Sequence, residues 1–244
     1  MKILLAPSET KIHGGSGSFI IDNLLFPELN TTRLKLLESY QTVIDQKEQQ
    51  QLTNLFGLKK EKDIEPYLTT LLLEPVMKAI ERYTGVAFDY LDYPSLNREA
   101  QHYIDTHVLL CSNLFGFMRA DDMIPDYRVK QGAMIGALKP EVCYTSESHL
   151  MEAYLADDEI LDLRAAFYEK FYKPVKPYTT LKFIKEGKVV SHWAKAYRGI
   201  VLREIAKAGV ETVEDFMNLP IEGLTIDEIQ TKKNKTEIIY TITI

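Results

Sequence analysis

Four polar residues follow the first apolar run of the chain and could bind an anion or take part in proton transfer. Residues 2–6 are predicted to form a buried strand, and Ser8, Glu9, Thr10 and Lys11 come almost directly after it. Open α/β sheets place their ligands at the carboxyl ends of such strands. The two hydroxyls can donate hydrogen bonds to an anion, and the lysine adds positive charge. An ordinary turn with a helix cap would explain the same residues.

A second group of candidates lies in the middle of the chain. Gly116 is the centre of an apolar-Gly-apolar turn at 114–118 that resembles the hairpin of a helix-hairpin-helix module. Such a hairpin presents backbone N–H groups to a phosphate without reading the sequence. Arg119 and Arg128 could each bind that phosphate through two hydrogen bonds. Alternatively, they form structural ion pairs with nearby acids, namely Asp121, Asp122 or Asp126.

The turn at 208–215 also resembles a helix-hairpin-helix turn. Here the simpler interpretation is stronger: Gly209 ends one helix in the left-handed conformation and Thr212 caps the next.

Positive charge is concentrated in residues 164–207. This segment has eleven Lys or Arg and three acids, a net of +8, whereas the rest of the chain has eighteen and thirty-two, a net of −14. The total of −6 argues against nucleic acid as a partner, but the local excess favours it. We expect the segment to contribute one continuous positive surface, although a solvated lysine face is the usual alternative. The candidate residues are Tyr168, Lys170, Lys173, Lys176, Lys195, Arg198 and Arg203.

The elements that must position these residues are mixed helices and strands. Helical periodicity covers 31–56, 65–83 with a break at Pro75, 95–105 with Ser95 as N-cap, and 193–208. Strands are predicted at 2–6, 86–88, 106–111 and 160–163, with hairpins at 182–191 and 224–242. Gly199, four residues after Lys195 on the predicted 193–208 helix, would leave room for a closely approaching backbone or ligand. These patterns predict an α+β fold with no clear internal boundary, a single domain over 1–244.

Several classes of site are poorly supported. The five histidines and two cysteines show no metal-ligand spacing, and no phosphate-binding or dinucleotide fingerprint is present, so we expect no metal and no cofactor. No apolar run approaches the about 20 residues of a membrane span. The short apolar start is no signal peptide, which predicts a cytoplasmic protein. Cys111 lies in an apolar run and is predicted to be a buried thiol.

Taken together, these segments resemble the YaaA peroxide-stress family, also called uncharacterised protein family 0246. The resemblance rests on the order of four motifs: 5–11 (LAPSETK), 114–132 from LFGFMR through Tyr127-Arg128 to Gly132, Tyr168-x-Lys170, and 191–199 (SHWAKAYRG) followed by Arg203. Ala196 and Tyr197 depart from the Lys-Ala that the family pattern leads us to expect. The stretch from Gly136 to Ile160 is shorter than expected.

The resemblance implies an unusual α+β fold with a mixed sheet, surrounding helices, a positive cleft and a helix-hairpin-helix element, the central turn being the preferred candidate. It also implies binding to double-stranded or structured DNA and protection against hydrogen peroxide. Our first hypothesis is therefore DNA binding without sequence specificity, in which the cations of the basic segment neutralise phosphates and Arg119, Arg128 and the Gly116 turn fix the backbone.

The rival hypothesis is an enzyme or binding protein for a small anionic or nucleotide ligand. It uses the cluster of Ser8, Glu9, Lys11, Tyr168 and Lys195, which holds more acid and hydroxyl groups than phosphate binding needs. The sequence leaves open whether any reaction is catalysed.

Overall fold

The computed structural model describes residues 1–243, with the side chains of all of them except Ser191 and His192. Its main feature is a mixed eight-stranded sheet. The parallel centre of the sheet consists of β1 (Lys2–Leu5), β3 (Val108–Ser112), β6 (Ile160–Asp162), β7 (Tyr178–Lys185) and β10 (Lys235–Ile242). The order across the sheet is β4-β3-β1-β6-β7-β10-β9, where β4 is Gly116–Arg119 and β9 is Leu224–Lys232; β8 (Lys188–Val189) pairs with β7.

A second, two-stranded sheet pairs β2 (Val76–Lys78) with β5 (Met123–Pro125) in antiparallel orientation. The described residues form ten α-helices between the strands: α1 (Asn30–Gln46), α2 (Gln49–Phe56), α3 (Glu61–Ile64), α4 (Ala79–Arg82), α5 (Val86–Leu91), α6 (Arg98–His107), α7 (Pro140–Thr145), α8 (Ser148–Tyr154), α9 (Ser191–Ala208) and α10 (Val213–Asn218). The α+β prediction is confirmed.

The strands at the centre of the sheet are buried because helices and loops cover both faces. Ile3, Leu4 and Leu5 are buried, as are all five residues of β3. Cys111 is one of them, so the prediction of a buried thiol is confirmed. Three parallel strands, β1, β3 and β6, thus end at the same edge of the sheet, which is where the polar loop after β1 begins.

Several signals that depend on near neighbours gave correct predictions. Gly209 ends α9 with φ +63°, and the Thr212 hydroxyl caps α10 by accepting a hydrogen bond from the Asp215 backbone. Both predicted hairpins are present, the first turning at Glu186 and Gly187.

Four element predictions were wrong. The helix predicted at 31–56 is two helices, because Lys47 is left-handed and the Glu48 carboxylate caps the second. The stretch 65–83 contains short 3₁₀ turns, β2 and α4 instead of a helix kinked or split at Pro75. Residues 86–88 form the start of α5 and are not a strand. The cap of α6 is Asn97, whose side chain accepts a hydrogen bond from the Ala100 backbone, and not Ser95.

The central turn is not part of a helix-hairpin-helix. It connects β3 to β4, and Cys111 pairs with Phe117 in an antiparallel β-hairpin. Leu114 and Phe115 at its tip are fully buried, so the turn faces the core and presents no N–H groups to a ligand. A Cβ on Gly116 would lie 2.3 Å from the Tyr144 ring, so this glycine is required by packing. Of the two candidate turns, the one at 208–215 connects two helices.

Helices α5 and α9 pack closely against each other, and Gly199 makes this possible. A Cβ at Gly199 would lie 2.1 Å from the Ala87 carbonyl oxygen. The room predicted at this glycine is therefore occupied by backbone. The contact brings the basic face of α9 to the start of α5, beside the loop that follows β1.

Candidate functional site

A pocket of about 490 Å³ lies at the carboxyl edge of the parallel strands. It is bounded by the loop after β1, by the residues after β6, by the start of α5 and by one face of α9. The sequence candidates that line it are Ser8, Glu9, Thr10, Arg128, Tyr168, Lys195 and Arg198. They come from four separate regions of the chain, so their meeting is a product of the fold and not of any one motif.

The hydroxyls of the loop after β1 are held by hydrogen bonds within the loop and to a segment distant in sequence. Ser8 Oγ lies 3.1 Å from Thr10 Oγ1 and accepts a hydrogen bond from the Thr10 backbone N–H at 3.3 Å. Thr10 Oγ1 also reaches the Thr84 carbonyl at 3.4 Å. These contacts connect the loop to the segment just before α5 and fix one wall of the pocket.

Glu9 and Arg128 form the one ion pair between residues of the pocket in the part of the chain that the structure describes. Their closest atoms, Oε2 and Nη2, are 3.4 Å apart. The other carboxylate oxygen of Glu9 accepts a hydrogen bond from the Gln131 backbone at 2.8 Å, and the guanidinium of Arg128 also donates to the Phe56 carbonyl at 2.8 Å. The long contact between Glu9 and Arg128 leaves both groups able to interact with a ligand as well.

Lys195 and Arg198 have no hydrogen-bond or ion-pair partner among the described residues. They lie one turn apart on α9, Lys195 exposed and Arg198 half-buried, and both line the pocket. Burial lowers the pKa of the Arg198 guanidinium, and the nearby charge of Asp162 offsets part of that effect. A half-buried guanidinium without a partner carries a desolvation cost that a bound anion would relieve.

Tyr168 contributes a buried hydroxyl to the pocket. Burial raises the pKa of this phenol, and the neighbouring Asn113 side chain offsets only part of the effect. The phenol therefore stays protonated at any physiological pH and can both donate and accept a hydrogen bond.

Lys11 lies beneath the loop after β1 and not in the pocket. Its ammonium is 3.9 Å from the centre of the Tyr127 ring and 4.9 Å from that of Tyr83, and it donates to the carbonyls of Ser8 and Glu9 at 3.3 and 3.4 Å. Burial is the main cause that lowers its pKa, to about 7. Lys11 thus holds the backbone that forms one wall of the pocket.

The remaining candidates lie outside this pocket, and most already have hydrogen-bond or ion-pair partners within the chain. Arg119 makes a two-point ion pair with Asp121, as the structural alternative predicted. Lys173 pairs with Glu169 at 3.5 Å, and Arg203 donates to the Leu91 carbonyl at 2.7 Å. Lys176 donates to three backbone carbonyls between 155 and 158. Lys170 lies 4.9 Å from the centre of the Phe167 ring, and Gly116 is buried against Tyr144.

The charge count of the basic segment therefore overstates what a ligand can use. Arg164, its first cation, is buried and forms an ion pair of 2.8 Å with Asp162, and Lys207 pairs with Glu204 at 3.0 Å. Arg164 contributes nothing to the surface, so the predicted continuous positive surface does not begin there.

Sequence reasoning missed the apolar side of the pocket. Val86, Ala87 and Phe88 line it from the start of α5, and Ala165 lines it from the segment after β6. No charge or motif marks these positions, and the one signal near them is Gly85, which directly precedes α5 and has a φ of +104°. Gln131 was also missed, and it lines both this pocket and a larger adjoining cleft of about 850 Å³.

Among the side chains that the structure describes, those of residues 1–243 apart from Ser191 and His192, no three from His, Cys, Asp or Glu lie close enough together to hold a metal ion. No helix in the same range is long and apolar enough to cross a membrane.

The amino-acid sequence that contains these site residues matches a known protein family. The family model described as "Peroxide stress protein YaaA" matches residues 1–230. The chain belongs to this family. A relative from Campylobacter jejuni, described as an uncharacterized protein, is 44% identical over 99% of both chains. A UPF0246 protein of Corynebacterium glutamicum is 31% identical over 98% of this chain and 100% of the relative, and one of Streptomyces coelicolor is 32% identical over 86% and 84%.

The motifs on which the resemblance was based lie in three regions of the structure. The loop after β1 and the basic face of α9 meet at the pocket, whereas the central motif contributes the β3–β4 hairpin and Arg128. The side chains of Ser191 and His192, which begin the fourth motif, lie outside the described residues. Family membership supports a role linked to peroxide stress.

Proposed function

We propose that this protein serves the peroxide-stress response in the cytoplasm by binding the phosphate backbone of DNA, without regard to base sequence, at the mouth of the pocket. The observation that carries the proposal is a pair of cations one turn apart on α9, Lys195 and Arg198, which line the pocket and have no hydrogen-bond or ion-pair partner among the described residues. Most of the other candidate cations already have acids or carbonyls as partners. Charged groups left without partners beside a pocket are expected to bind an anion.

The test is a salt titration of a fluorescently labelled duplex. Each phosphate contact contributes about −0.9 to the slope of log affinity against log salt. Arg198→Ala should weaken binding and reduce the slope by about one, and two duplexes of unrelated sequence should bind alike. Lys207→Ala is the matched control, because Lys207 lies on the same helix but is paired with Glu204 at 3.0 Å. An affinity independent of salt, or no binding at about 50 mM salt, would contradict the proposal.

A second candidate function is the binding of a small anionic ligand inside the pocket. The observation that favours it is Glu9, because a carboxylate is not expected in a site that binds only anions. Glu9 repels a DNA phosphate but could bind a donor group of a small ligand, with Arg128 beside it at 3.4 Å. The walls of the pocket also enclose more space than a phosphate needs.

Glu9→Gln separates the two candidates. If Glu9 holds a small ligand, this variant should lose that ligand while its affinity for duplex DNA stays equal or rises slightly, because removal of a negative charge cannot weaken phosphate binding. Asp89→Asn is the matched control, an exposed acid on α5 outside the pocket lining. Loss of duplex binding in a folded Glu9→Gln protein would contradict this separation of roles.

A further inference from the structure

The pocket is larger and more varied in chemistry than a phosphate-binding surface requires. Phosphates of a duplex would contact Lys195 and Arg198 at the mouth but leave most of the about 490 Å³ unfilled. That volume falls in the range of pockets for drug-sized molecules, about 300–1,000 Å³. Some other part of the ligand should therefore enter.

The lining divides by element into an apolar and a polar part. The start of α5 supplies Val86 and Phe88, while the loop after β1 supplies the Ser8 and Thr10 hydroxyls. The buried Tyr168 phenol adds a group that donates and accepts. Apolar contact combined with a few hydrogen-bonding groups is how proteins hold a base that has left the stack.

The position of Glu9 fits the same ligand. Its carboxylate accepts hydrogen bonds from the Gln131 backbone at 2.8 Å and from Arg128 at 3.4 Å, and two oxygens offer more acceptor capacity than these contacts use. The edges of the bases carry amino donors that a carboxylate binds well. The Glu9 carboxylate, which repels a phosphate, can therefore accept a hydrogen bond from the amino group of a nucleotide base.

We infer that the pocket holds a single unpaired nucleotide of the DNA strand, with its base inside and its phosphate at the mouth between Lys195 and Arg198. The inference rests on the proposed function, since those two residues bind the phosphate. It joins the two candidate functions, because the nucleotide that enters the pocket is part of the DNA and not a free metabolite.

The experiment compares a labelled duplex with the same duplex carrying one bulged nucleotide, at equal salt. A bulged base needs little unstacking, so the bulged DNA should bind about ten- to a hundredfold more tightly. With 2-aminopurine as the bulged base, its fluorescence should change on binding, whereas the same base paired within the duplex should report a smaller change.

Ala165→Phe should fill the pocket while leaving the cations in place. The affinity of this variant for bulged DNA should fall to its affinity for the duplex. Its affinity for the duplex should equal that of the wild type, which also shows that the variant is folded. Ala137→Phe, an exposed position in the adjoining cleft, is the matched control and should keep the preference. Tyr168→Phe should reduce the preference for the bulge several-fold.

The possible results distinguish a failure of the inference from a failure of the proposed function on which it rests. Salt-dependent duplex binding without preference for the bulge, or a preference that persists in Ala165→Phe, would overturn the inference and leave the proposed function standing. No binding to either DNA at about 50 mM salt would overturn both.

Discussion

Replacement of Lys11 by methionine should make the stability of the protein respond differently to pH. Burial between Tyr83 and Tyr127 lowers the pKa of the lysine from its ordinary 10.5 to about 7 in the folded protein. Between these values the unfolded chain holds a proton that the folded chain has released. The free energy of unfolding contributed by Lys11 therefore rises with pH through this window, and its cost is greatest below pH 7.

The magnitude follows from the two pKa values. One pH unit corresponds to about 1.4 kcal/mol when the unfolded form alone is protonated. At pH 7 the folded lysine is half protonated, and at pH 9 it is almost entirely neutral. The contribution of Lys11 to the free energy of unfolding should therefore rise by about 2 kcal/mol between pH 7 and pH 9.

The assay is urea unfolding of the wild type and of Lys11→Met at pH 7, 8 and 9. The difference between the two free energies of unfolding should move in favour of the wild type by that amount. Lys78→Met is the control: Lys78 lies 2.6 Å from Asp105, which raises its pKa, so it keeps its proton throughout. Its difference from the wild type should not change with pH. A constant difference for Lys11→Met as well would refute a lowered pKa for Lys11.

Two further substitutions test the packing that supports the site. Arg33 is fully buried and donates to four backbone carbonyls. Arg33→Met should therefore lower the free energy of unfolding by about 3–5 kcal/mol, whereas Arg98→Met, on the exposed start of α6, should change it by less than about 0.5 kcal/mol. Equal losses for the two variants in urea unfolding would contradict this prediction. Gly199→Ala should cost about 1–3 kcal/mol and weaken duplex binding, because α9 must move away from Ala87. An unchanged Tm would show that the two helices are less tightly packed.

The sequence predicted some elements that a local signal decides and missed others, such as the helix break at Lys47 and the cap at Asn97. Gly209, Thr212 and the turn at Glu186 act on their immediate neighbours, and these predictions were correct. The apolar run 86–88 looks like a strand by composition, but it folds as a helix because it packs on Gly199, more than a hundred residues later. No periodicity in a three-residue run could have indicated that contact.

The sequence predicted which segments line the candidate site, but not which of the candidate cations already have partners within the chain. The loop after β1 and the basic residues of α9 were identified, because polar residues after a strand and cations on one helix face are visible in sequence. The partners of the other cations are not visible: Lys176 is held by carbonyls about twenty residues earlier, and Arg203 by the segment at 91–92. Pairing at such distances depends on the tertiary fold.

The number of cations that are free to contact phosphates determines how steeply the affinity for DNA should depend on salt. If all eleven cations of the basic segment met phosphates, the salt slope would be about −10. In the described chain only Lys195 and Arg198 both line the pocket and lack a partner there, which predicts a slope of about −2. A slope near −2 would assign binding to the pocket mouth. A slope near −10 would mean that the other cations of the basic segment contact phosphates as well, and the surface beyond the pocket would then carry the affinity.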